Sequence, residues 1–153
     1  MIIRNLTKYN IEHLFQESVS DYDHDGLVVE VKYCPVGSRR SISGTYYRWT
    51  KSTPDGRLIR LRINHTNRYP VTVPFKTSEY YKKTDLRGRE LTYQKLRSEK
   101  FSCAEHLMVG IFLHEFSHYL DHMEGRNGRY KQTKADKFAV EGLIRLGLIE
   151  FTR

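Results

Sequence analysis

In the last third of the 153-residue chain, His114, Glu115 and His118 form the run His114-Glu115-Phe116-Ser117-His118. Histidines four apart on a helix project from one face about a turn apart, so both imidazoles can take two corners of a tetrahedron around one zinc ion. Glu115, next to the first ligand, is placed to hold a zinc-activated water and take its proton while the metal polarises a substrate carbonyl. The expected chemistry is therefore metal-assisted hydrolysis, with His114 and His118 as zinc ligands and Glu115 as general base.

A catalytic zinc usually has three protein ligands and an open position. After Met123 the run Glu124-Gly125-Arg126-Asn127-Gly128 reads as a tight turn, and Gln132 to Leu146 shows helical spacing with Gly147 as a stop. Folding the chain about that turn brings the midpoint of His114 and His118 opposite residue 137, so Asp136 is the expected third ligand. It precedes Ala139, Val140 and Leu143 on one apolar stripe, where a carboxylate needs a cation or donors. His122, Glu124 and Gln132 are alternatives. His122 lies about 12 Å along the axis from His114 and joins only if the helix breaks at Asp121. Tyr119 or Tyr130 would be donors to a developing oxyanion, although packing is the commoner role.

These residues need a scaffold. The stretch from Ala104 to Met123 is nearly all apolar between Leu107 and Leu113, which predicts a helix buried inside the domain. Asn10 can cap a short helix carrying Ile11, Leu14, Phe15 and Val19. Val29, Val31 and Tyr33 alternate with polar residues as a strand; Gly44 to Trp49 and Ile59 to Ile63 read as a hairpin across the turn Thr53-Pro54-Asp55-Gly56. Val71, Val73 and Phe75 suggest a short edge strand broken by Pro70 and Pro74, and residues 77 to 100 a mobile loop with some helix, a natural substrate flap. The fold expected is one α+β domain over residues 1–153: an N-terminal helix, a small, mostly antiparallel twisted sheet, the buried helix, and an antiparallel C-terminal helix.

The net charge of +8 is uneven. From Arg39 to Lys100 there are 16 Lys and Arg against five acids, a local excess of +11. Such a field concentrates polyanions, and Arg60 and Arg62, alternating with aliphatic residues beside Tyr46, Tyr47 and Trp49, are candidate nucleic-acid contacts; ordinary cross-strand pairing is the simpler account. No apolar run approaches the roughly 20 residues that span a bilayer, so a cytoplasmic chain without membrane contact is expected. Cys34 and Cys103 form no C-x-x-C motif and are read as reduced thiols.

Gly110 to His118, together with Lys134-Ala135-Asp136-Lys137-Phe138-Ala139, resembles the zincin metallopeptidases, and within them the small intracellular gluzincin-like and SprT-like groups. The resemblance implies a zincin-like domain, a zinc cofactor and hydrolysis of peptide bonds in a protein or peptide substrate. For the SprT-like group it implies cleavage of DNA-bound proteins; a non-catalytic, zincin-fold nucleic-acid-binding protein is a further alternative. Two departures stand out. Where gluzincins carry a metal-binding Glu four residues before a supporting Asp, this chain has Gln132 before Asp136, which would make Asp136 a supporting residue and Gln132 a neutral ligand. SprT-like proteins use a third His after the helix, and the one available, His122, comes early.

Overall fold

Two short runs of aliphatic residues, Val28–Tyr33 (β2) and Leu58–Ile63 (β4), make the centre of a four-stranded sheet. Val29 and Val31 on β2, and Ile59, Leu61 and Ile63 on β4, are fully buried on one face. Ile2–Asn5 (β1) flanks β2, and Ile42–Tyr47 (β3) flanks β4, giving the order β1-β2-β4-β3. The computed structural model describes residues 1–51, 53–54, 57–126 and 131–151. Asp55 and Gly56 of the expected hairpin turn, Asn127 and Gly128 of the interhelical turn, and Tyr130 lie outside the described residues.

The α+β class is as expected, but the sheet is not mostly antiparallel. β1 pairs with β2 in parallel and β2 with β4 in parallel; only β3 and β4 run antiparallel, as the expected hairpin. The helix Glu12–Ser18 (α1) lies in sequence between β1 and β2, a connection that returns the chain in the same direction. Asn10 does not cap α1. Ile11 holds the cap position without a side-chain bond, and its N–H is taken instead by Glu12 Oε2 at 3.2 Å.

Ala104–Met123 (α2) spans the expected residues and stays unbroken to its end. Leu107, Met108, Val109, Phe112, Leu113 and Phe116 are fully buried, and Phe112 stacks on Phe15 of α1 with centroids 4.5 Å apart. Each such side chain contributes about 1.5–3 kcal/mol by leaving water. Gln132–Arg145 (α3) returns against α2: Leu113 meets Gly142, Phe116 stacks on Phe138, and Asp121 bonds Lys134. Rising numbers on α2 meet falling numbers on α3, so the pair is antiparallel.

Residues 77 to 100 are not a mobile loop with helix but two strands joined by a short turn. Val71–Thr84 (β5) and Glu90–Phe101 (β6) form a separate two-stranded antiparallel ribbon. Asp85 closes its tip, accepting the N–H groups of Arg87 and Arg89 on Oδ1, with Gly88 at φ 77°. Pro74 pairs with Ser98 inside the ribbon, a position open to proline because each strand has a free edge. The base is anchored through buried Phe75 and Phe101; beyond a register shift between Lys76 and Tyr80 the strands project with both faces exposed.

Candidate metal centre

The continuous turn geometry of α2 brings His114 Nε2 and His118 Nε2 to 3.3 Å, with the rings inclined at 74°. Two nitrogens at about 2.0–2.1 Å from a tetrahedral zinc ion stand about 3.3–3.4 Å apart. The pair therefore has the spacing of two ligands to one ion.

Asp136 of α3 approaches His114 from behind. Its Oδ1 lies 2.6 Å from His114 Nδ1, and its Oδ2 accepts the backbone N–H of Lys76 on β5 at 2.7 Å. A carboxylate on Nδ1 keeps the proton there and leaves the Nε2 lone pair for a metal. Both Asp136 oxygens are engaged on this far side, so the residue expected as third ligand stands where an orienting group stands. Gln132, one turn earlier on α3, lies near enough to both imidazoles to favour their charged forms. Among the described residues no three His, Cys, Asp or Glu side chains converge on one point.

Charge follows from these contacts. Burial opposes a charged His114, yet the Asp136 carboxylate and neighbouring Glu115 outweigh it and hold the imidazole above the ordinary histidine value. Burial, reinforced by His114, pushes His118 the other way. Burial also raises the Glu115 carboxyl, towards the range where a general base operates near neutrality. Glu115 Oε1 lies 3.9 Å from His114 Nε2, and the carboxylate accepts the backbone N–H of Tyr46 on β3.

Two glycines permit this approach, and the sequence reading missed both. A Cβ on Gly44 of β3 would meet Ile111 Cγ2 at 2.7 Å and Glu115 Cγ at 3.1 Å; a Cβ on Gly142 of α3 would meet Leu113 Cδ1 at 2.7 Å. The first lets α2 lie on the edge strand with Glu115 against Tyr46. The second lets α3 close on α2 so that Asp136 reaches His114. An isolated glycine in a strand pattern and another in a helix pattern were the available signals.

Other candidates are occupied elsewhere. His122 remains on the continuing helix, its Nδ1 2.6 Å from the Tyr46 hydroxyl. Glu124 pairs with Arg126 beyond the end of α2. Tyr119 is buried and packs on Phe116 and Tyr46. On the opposite face of the sheet Arg60 binds Glu30 at 2.8 Å and lies over Tyr47, while Tyr46 points to the helix side. Arg60 is thus part of a cross-strand pair, and Arg62 is half-buried beside it, opposite Lys32 and Ser43.

Compared with family models, with curated proteins and with solved structures, the chain matches none. Among the described residues no helix is long and apolar enough to cross a membrane.

Proposed function

We propose that this chain is a zinc-dependent peptidase. The observation that carries the proposal is the 3.3 Å separation of His114 Nε2 and His118 Nε2, with Asp136 on the far nitrogen of His114. His114, His118 and the Gln132 amide would hold the ion, and Asp136 would orient His114. When bound, zinc supplies Lewis acidity, lowering the pKa of a water and polarising a carbonyl. Glu115 takes the proton of the attacking water and passes it to the leaving amine; its burial makes it a stronger base than an exposed glutamate. β3 supports a peptide substrate, because it is an edge strand that runs beside Glu115 and an extended chain can add to such an edge. With Gln132 in place of a carboxylate, a bound ion would keep more net charge and be held more weakly.

Glu115→Gln tests the reaction. Cleavage of an unfolded protein substrate by the zinc-loaded chain should fall by about 10²–10⁴-fold. Because burial raises the folded pKa of Glu115, its ionised form destabilises the fold once the pH exceeds the unfolded value; the neutral amide should therefore raise Tm at neutral pH. Undiminished cleavage by Glu115→Gln would sink the proposal.

A further inference from the structure

The ribbon exposes Tyr80, Tyr81, Leu86, Leu91, Tyr93 and Leu96 beside a surplus of cations. Val71 to Phe101 holds eight Lys and Arg and four acids, a surplus of four positive charges. All four acids are paired within the ribbon: Glu79 with Lys95, Asp85 with Arg89, Glu90 with Lys82 and Glu99 with Arg97. Lys76, Lys83, Arg87 and Lys100 are exposed and make no ion pair among the described residues. The surplus is therefore presented to solvent.

Its distribution is ordered. Gln94 bonds Thr133 of α3 at 2.7 Å, so the face bearing Tyr80, Lys82 and Gln94 turns towards the helix. The other face, with Tyr81, Lys83, Leu91 and Tyr93, turns away from it. There Tyr81 and Tyr93 stack at 5.5 Å, and Leu86 is wholly exposed at the tip between Asp85 and Arg87. The five cross-strand pairs from Tyr80↔Gln94 to Thr84↔Glu90 make an arm about 17 Å long.

We infer that this arm is a binding element for double-stranded nucleic acid. A two-stranded ribbon fits the major groove, about 12 Å wide, and an apolar tip can wedge against a base step. Cations lie along the length of the arm, from Lys76 and Lys100 at its base to Lys83 and Arg87 at its tip, which matches a row of phosphates. A lipid surface would meet only the tip. The arm thus takes over the role the sequence suggested for Arg60 and Arg62.

Fluorescence anisotropy of the full chain with a short labelled DNA duplex tests this. Binding at low salt should weaken linearly in log affinity against log salt. Lys83→Glu with Arg87→Glu should cost at least about tenfold and flatten the slope by about 2. The charge-matched Lys8→Glu with Lys137→Glu, off the arm, should cost less than about threefold, and His114→Ala should bind as the wild type does. Circular dichroism confirms that each variant is folded. Absence of duplex binding at low salt, equal losses for the two charge-reversed pairs, or capture by phosphatidylserine vesicles in place of duplex would overturn the inference. Because His114→Ala removes the proposed zinc site, failure of the peptidase reading leaves this test intact.

Discussion

The α2–α3 pair and the β5–β6 ribbon differ in what holds them. The helices interlock where buried Leu113 meets Gly142 and Phe116 stacks on Phe138, with Phe112 fixing α2 to α1, so the histidines, Glu115 and Asp136 sit on a rigid frame. The distal ribbon has no core on either face and is held by its own strand pairing and a few contacts to α3. Chemistry that needs fixed distances belongs on the first; a surface that follows the contour of a partner suits the second.

The contrast can be broken at its stable end. Phe112→Ala opens a void against Phe15 and should cost about 3–5 kcal/mol, measured by denaturant unfolding. Asp121→Asn acts at the joint between the helices. Asp121 is 1% exposed and binds Lys134 at 2.6 Å and Arg126 at 2.9 Å. Burial opposes its charge, but these cations outweigh burial and hold its carboxyl below the usual range. Its stabilisation is therefore present above the unfolded value of about 3.9 and lost as pH falls through the lower folded value. The amide should cost about 1–3 kcal/mol at neutral pH and flatten the acid limb of a stability profile. Tyr81→Ala, half exposed on the arm, should change global stability by less than about 0.5 kcal/mol. A loss there as large as that of Phe112→Ala would erase the distinction.

Legibility followed burial. The apolar run before His114 gave α2 its observed limits, and the Ala139, Val140, Leu143 stripe gave α3 to within a residue. The hairpin of β3 and β4 was readable because Ile59, Leu61 and Ile63 alternate with arginines. β1 was missed: it has four residues, Ile2 is 57% exposed, and its pairing with Val28 to Val31 is long-range. Val71, Val73 and Phe75 gave the start of β5, but the rest of the ribbon was missed because strands exposed on both faces show no apolar alternation. At the site, spacing put His114 and His118 on one face of α2 with Glu115 beside them. For Asp136 two readings stood open, third ligand or supporting residue, because folding the helices together brought it near His114 without saying which nitrogen it meets. Spacing likewise put Gln132 one turn before Asp136 on the same helix, without saying how near the histidines it would come.

A zinc-dependent peptidase, as proposed, requires that His114 and His118, with Gln132, hold the ion. Calorimetric titration of metal-stripped protein with zinc tests it most directly. One ion per chain is expected for the wild type, with loss of that binding in His118→Ala and tighter binding in Gln132→Glu, where a carboxylate replaces the neutral amide. A wild type that binds no zinc, or a His118→Ala variant that binds it unchanged, would contradict the claim.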